Sequence, residues 1–414
     1  MRTLLMLGVL GLAGTAMATN GMNLIGYGAN SALTAGGRLA NPNPSALVGN
    51  PALLADVTQP MLCGSLTLLM PSLTYTDNAN PGGVDGEAAT FPLPFIGYAR
   101  PVTERLVAGV CGHAQGGMGV DFQGLNTAFG SQDDIYSNVA YMRLTGGFAY
   151  RAGETSSVGL SVSLGYAMLE FDYFPNTMVD MNGDMQPEFN GMSATELTSF
   201  GYNAKLGFRN RVLDGKLDWG AWFGTQAAVD FDGGTLEFAS GQSFDAKFKD
   251  FSWPAEIGLG MAWQVAPKVT LVSDLVHYGW RDAVDEPALE TDNAMINGML
   301  PPFQMHWKNR TAMSVGAKVQ VTDNLTALAG YNHADSPVPG NLMNALFPAI
   351  VEDHITLGAR YRMGGWNLLG GVEIVPEASQ TNAAADDMTD YFGMMNTTID
   401  HSQLSLHLGF SKSF

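Results

Sequence analysis

The stretch FPNTMVDMNGDMQPEFNGM, residues 174–192, sets acids and amides among rings and thioethers. Phe174, Met178, Met181, Met185, Phe189 and Met192 are its apolar members, and DNAMINGMLPPF further on adds Met295, Met299 and Phe303. Methionine adapts to irregular apolar shapes. A loop has little reason to carry such surface unless other loops cover it or an apolar ligand meets it, and the residues leave both readings open. The spacing Asp180-x-Asn182-x-Asp184 resembles the start of a calcium loop, yet Met185 stands where that loop needs glycine and Gly191 where it needs glutamate. No metal site and no cofactor are therefore expected. The seven histidines (113, 277, 306, 333, 354, 401 and 407) show no HExxH or paired spacing. His401 and Ser402 are sequence neighbours on a strand-like segment, so they face opposite sides and cannot form a nucleophile–base pair. No catalytic residue is expected. Cys63 and Cys111 fall on strands that are not neighbours, which favours buried or lipid-facing thiols over a disulfide.

What positions these residues is a succession of alternating segments. The chain ends on LSLHLGFSKSF, where Leu404, Leu406, Leu408, Phe410 and Phe414 point one way and Ser405, His407, Gly409, Ser411 and Ser413 the other. TAMSVGAKVQV (311–321) alternates as cleanly: Met313, Val315, Ala317, Val319 and Val321 outward, Ala312, Ser314, Gly316, Lys318 and Gln320 inward. A single inward base such as Lys318 invites a carboxylate partner. VTLVSDLVHYGW (269–280) reads either way round. Six connections are short and polar, near 101, 151, 212, 264, 321 and 363, with the hairpin dipeptides Asp214-Gly215 and Gly364-Gly365 among them. Seven long ones, at 76–88, 121–135, 174–194, 230–249, 283–303, 336–351 and 377–397, alternate with them. That predicts an all-β fold: a 14-stranded antiparallel transmembrane β-barrel with tight turns at one end and long loops at the other. Closure follows because lipid offers no bonding partner to an open sheet edge. Tyr98, Trp280, Trp307, Tyr361 and Trp366 near strand ends suit interfacial girdles.

The first eighteen residues carry Arg2, a short apolar run and Ala16-Met17-Ala18, the features of a secretory signal peptide over 1–18. Residues 19–60 are rich in Gly, Ala, Asn and Pro without strand alternation, and are expected to plug the lumen, which in a barrel of this size is too wide for its own side chains. Residues 61–414 form the barrel. The chain has 50 glycines in 414 residues and 14% charged residues, against averages of roughly 7% and 25%, as suits strands with one face in lipid. A net charge of −19 argues against a nucleic-acid partner. The third strand, about 105–120, gathers Gly109, Gly112, Gly116, Gly117 and Gly119. Glycine within a strand marks a bend or bulge, or a place where another backbone approaches; a kink and packing against the plug are both open on the residues alone.

The stretch NGMNLIGYGANSALTAGG…NPSALVGNPALLADV, with Asn50, Pro51 and Ala52 as an Asn-Pro-Ala signature, resembles the N-terminal hatch of the long-chain fatty acid transporter family of Gram-negative outer membranes, the fatty-acid and toluene uptake channels. A second stretch, 325–362, is similar to the family where Gly330-Tyr331-Asn332 leads through a proline-marked loop to Val351-Glu352-Asp353-His354. The resemblance implies passive uptake of long-chain fatty acids or related hydrophobic molecules, captured at a greasy extracellular site and released sideways where the third strand kinks. It favours Gly112, Gly116, Gly117 and Gly119 as a lateral opening. It implies outer-membrane lipid and hydrophobic small molecules as partners, with the terminal strand ending in Phe414 read by the barrel assembly machinery. A structural or secretion-adaptor barrel without transport is the alternative.

Overall fold

The computed structural model describes residues 20–180, 189–382 and 396–414. Met181 and Met185, the predicted signal peptide and, of the Asp180-x-Asn182-x-Asp184 spacing, Asn182 and Asp184 lie outside them. Fourteen strands form one antiparallel sheet: β1 (Met61–Thr76), β2 (Phe91–Pro101), β3 (Leu106–Asn126), β4 (Gln132–Arg151), β5 (Ser156–Val179), β6 (Phe189–Val212) and β7 (Leu217–Gly224). They continue as β8 (Glu256–Ala266), β9 (Val269–Tyr278), β10 (Arg310–Gln320), β11 (Leu325–His333), β12 (Asp353–Met363), β13 (Trp366–Thr381) and β14 (Thr398–Ser413). Each pairs with the next, and β14 returns to β1 from Met61↔Ser413 to Thr76↔Thr398, closing the sheet. No helix among the described residues is long and apolar enough to cross a membrane.

The walls follow the alternation. On β10, Met313 and Val315 are exposed to the outside while Ala312 and Ser314 are buried within. On β14, Leu404, Leu406 and Leu408 face out and Ser405, His407 and Ser411 face in. β9 settles with Leu271 and Leu275 outward and Val272, Asp274 and Tyr278 inward. All six short turns fall where expected; Gly364 and Gly365 take positive φ, as a two-residue hairpin turn requires, and so do Leu213, Asp214 and Gly215 in the four-residue turn between Val212 and Leu217.

Two long connections are shorter than predicted. β3 runs on to Asn126 and β4 starts at Gln132, so 121–135 shrinks to a five-residue turn. The polar residues that suggested a loop are used by the sheet: the Asp133 carboxylate accepts bonds from Asn176 N, Asn176 Nδ2 and Thr177 Oγ1 on β5. β5 and β6 likewise rise into 174–194. Between β7 and β8 the chain makes a ribbon, Phe231–Phe238 with Ser243–Trp253, to which Val284–Thr291 adds a third strand. Trp280 and Trp307 are not girdle residues. They are buried where the chain folds over the barrel mouth, with ring centroids 5.3 Å apart. Tyr98 and Tyr361 do face outward. Trp366 stacks on Phe410 at 5.8 Å.

Candidate functional site

Residues 20–57 run inside the ring of strands, and almost every one is buried. The segment has too little periodicity to fold alone, so it is held by bonds to the inward faces of the wall. Asn50 caps a 3₁₀ turn, Pro51–Asp56: its Oδ1 accepts from Ala52 N at 3.1 Å. Its Nδ2 donates to Phe208 O at 3.0 Å and Ala221 O at 3.3 Å. Proline at the first helical position leaves no wasted donor. The wall opposite is bare of side chains, because Gly159 and Gly207 form a cross-strand pair. A β-carbon on Gly159 would overlap Pro51 and Ala52, and one on Gly207 would overlap Asn50. Further along, Ser157 Oγ donates to Ala52 O (2.9 Å) and Ser161 Oγ to Leu47 O (2.7 Å).

Charge fixes the segment as well. Arg38 Nη1 meets Glu256 Oε1 at 3.0 Å, Nη2 donates to the Tyr278 hydroxyl at 3.0 Å, and the backbone N–H donates to Asp274 Oδ2 at 2.9 Å. The guanidinium lies over the Trp222 ring, 5.1 Å from its centroid. Lys205 bonds both Glu256 and Val48 O. At the end of the segment, Asp56 joins Arg209 and Arg211 of β6, which also hold Asp218 of β7. Lys318 meets the Ala40 carbonyl (2.7 Å) and Asn41 Oδ1 (3.0 Å) rather than a carboxylate.

The β2–β3 ladder runs from Pro101↔Val107 to Phe95↔His113 and ends there. At that level β3 slips register against β4 between Ala114 and Gly116, with φ +152° at Gly116. Beyond the slip β3 pairs inward: Gly116 bridges Asn23 of the N-terminal segment. Residues 113–120 are buried on both faces, unlike any other stretch of wall. Pro92 and Pro94 lie in the β2 stretch that has lost its neighbour, where a strand edge tolerates residues without an N–H. The next bond between the two sides is Glu87 N to Asp121 O at 2.8 Å. Of the predicted glycines, Gly116 is the residue at the slip; Gly112 lies just before it and still pairs with Ile96, while Gly117 and Gly119 follow and remain paired with β4. Tyr27 and Gln115 brace this corner, the Tyr27 hydroxyl donating to Gln115 O at 3.0 Å.

At the long-loop end a cavity of ≈ 270 Å³ opens between β5 and β6, the 284–303 segment and the 340–346 loop. Phe303 is its centre, with ring centroids 5.9 Å from Phe171, 5.6 Å from Phe248 and 6.5 Å from Phe347. Met192 lines it, as do Leu289, Leu300 and Met343. Phe174 and Phe189 do not line it; they stack behind Tyr173, which does, at 5.0 and 6.3 Å. Met178, Met295 and Met299 are exposed outside it. The 341–346 part of this lining was readable as an apolar run, NLMNAL, in a loop that a soluble surface would make polar. A larger hollow of ≈ 720 Å³ lies on the outer wall among Val158, Leu206, Phe223, Ile257 and Leu275; these side chains face lipid, so it is a concave stretch of membrane belt. His401 is buried facing inward and Ser402 is on the opposite face, and among the described residues no group of three or more His, Cys, Asp or Glu is placed to hold a metal ion.

Residues 12–367 match the model of the family described as outer membrane protein transport protein (OMPP1/FadL/TodX). No curated protein matches by sequence at a significant level. Among solved structures, the Pseudomonas putida toluene transporter TodX is similar with a TM-score of 0.77 at 18% identity, over 95% of this chain and 99% of that one. The Ralstonia pickettii toluene transporter TbuX gives 0.73 at 17% over 95% and 99%. A Pseudomonas aeruginosa FadL homologue gives 0.74 at 16% over 97% and 100%.

Proposed function

The chain belongs to the outer membrane protein transport protein family (OMPP1/FadL/TodX), and from that premise we propose that it is a passive channel for long-chain fatty acids or similar hydrophobic molecules, with residues 19–60 as a hatch and a sideways exit between β2 and β3. Family and fold are those of hydrophobic-compound transport channels in the outer membrane, not of enzymes. The loop cavity around Phe303, with Met192 at its edge and Phe174 and Phe189 behind Tyr173, is the capture site in this reading; the exposed Met178 extends its greasy approach.

One observation carries the route. Between His113 and Asp121, β3 has no ladder with β2 and is bonded to the hatch at Asn23 instead. A wall strand that forgoes a neighbour inside a membrane sacrifices bonds that lipid cannot replace. The break is therefore a functional feature of the wall, as bulges in barrels commonly are. Because Gly116 takes its bond from Asn23, a shift of the hatch and a widening of the gap are one movement. Gly112, Gly117 and Gly119 leave the flanks of the slip without side chains to obstruct it. Ligand leaving there enters the lipid directly and never crosses the polar end of the lumen.

Phe414, exposed at the end of β14, is the residue we assign to recognition by the assembly machinery. Uptake of radiolabelled oleate and toluene by cells deleted for the gene and complemented with it tests the transport reading. Gene-dependent uptake of either supports it; equal uptake with and without the gene overturns it in favour of a structural or adaptor barrel.

A further inference from the structure

We propose that the loop cavity selects neutral hydrophobic molecules over anionic ones, so that a hydrocarbon, alcohol or ester is taken in preference to a fatty-acid carboxylate; this rests on the cavity being the capture site. Among the described residues, none of the side chains that line it is charged. Its polar members are the Tyr173 phenol and four amides, of which Asn344 is engaged by Leu346 N and Asn382 donates to Met343 O, while the side chains of Gln304 and Asn341, exposed at the rim, make no hydrogen bond among the described residues. A neutral amide at the rim can satisfy one hydroxyl or carbonyl oxygen. It cannot balance a full charge, and burying an unpaired carboxylate is far more costly than burying a neutral polar group.

The surroundings reinforce this. Among the described residues, five connections at this mouth (77–90, 127–131, 225–255, 279–309 and 334–352) contain 15 acidic and 4 basic residues, so more than half of the net charge of −19 sits here. Of the four bases, Lys247 and Lys249 are paired with Asp232 and Glu290; Arg281 and Lys308 are exposed and do not line the cavity. The stretches 181–188 and 383–395 contain no Lys, Arg or His and bring no cation to it. The inward-facing Arg143, which stacks on Tyr141 at 4.6 Å, is six residues further along β4 than Ser137, the partner of Phe171, about 20 Å at ~3.3 Å per strand residue. It is out of reach of a head group held beside Phe171. A potential of one sign over a cleft raises the local concentration of ligands it attracts and lowers that of ligands it repels.

The test is binding of 1-dodecanol and dodecanoate, equal in chain length, to the full-length protein in lipid nanodiscs, with empty nanodiscs subtracted and displacement of a neutral fluorescent probe as readout. At about pH 8, well above an ordinary carboxylate pKa, dodecanol should bind about tenfold tighter or more, roughly 1.4 kcal/mol per decade. The difference should shrink at about pH 4, as the acid takes up its proton, and in Asn341→Lys, which places a cation at the rim. Dodecanoate binding as tightly as dodecanol at the higher pH, or a difference that neither acid nor Asn341→Lys reduces, overturns charge selection while leaving the capture site standing. Failure of both ligands to bind removes the capture site itself.

Discussion

Asn50 and Gly207 are fitted to each other: the amide of Asn50 fills the volume a β-carbon at Gly207 would need, and from there it bonds the next carbonyl on β6, that of Phe208, at 3.0 Å. Replacing Gly207 by valine should displace the 3₁₀ turn from the wall, and Asn50→Ala should leave two wall carbonyls and the Ala52 N–H without their partner. Each buried group so stranded costs about 1–3 kcal/mol. Both variants should show faster proteolysis of the N-terminal segment in detergent, with the heat-modifiable gel shift of the barrel retained. A segment as resistant as wild type in Gly207→Val would contradict the seating.

Gly116 is constrained differently. Its φ of +152° and the carbonyl of Met22 against its α-carbon leave no room for a side chain. Gly116→Ala should break the bridge to Asn23, seen as faster amide exchange on both sides of it. The double change Gly116→Val with Gly117→Val should abolish uptake while the protein still assembles. Unchanged transport by the double variant would rule out exit at this slip.

Arg38 and Glu256 are both largely buried and 3.0 Å apart. Removing one member of a buried pair strands the other, at about 3–5 kcal/mol, whereas removing both is often near neutral. Arg38→Met should therefore loosen the segment more than Arg38→Met combined with Glu256→Gln. Lys205, which also bonds Glu256, should soften the single change. Denaturant midpoints of the three variants decide it; strictly additive losses would show that the pair is not coupled.

Phe303 touches three other rings, each contact worth about 0.5–1.5 kcal/mol beyond burial. Phe303→Ala should weaken binding of a neutral hydrophobe by about tenfold, close to 1.4 kcal/mol, with assembly unaffected. Equal affinity in the variant would place the ligand elsewhere.

Cys63 and Cys111 are buried free thiols on either side of Gly97, with β2 between their strands. Thiol reagents should modify both only after unfolding, and oxidised and reduced samples should migrate alike. A mobility difference abolished by reductant would show a bridge.

Much of the barrel was legible because its signals are local. Period-two alternation on β10 and β14 names the lipid face residue by residue, and Asp214-Gly215 and Gly364-Gly365 mark turns by their own backbone freedom. The strand count and the short-turn, long-loop order follow from those signals alone. Where β3 and β4 ended was not local: Asp133 reads as a loop acid until Asn176 and Thr177 are beside it.

The sequence by itself determined a closed fourteen-strand wall with one face for lipid, because alternation and turn chemistry act over a few residues and lipid forbids an open edge. Only the tertiary structure decided what the lumen does with it. Asn23 against Gly116, Asn50 against Gly207 and Phe171 against Phe303 join residues 93 or more apart in the chain. Contacts of that kind have no period in the sequence. They exist only once closure brings opposite strands and the folded-in segment to within bonding distance.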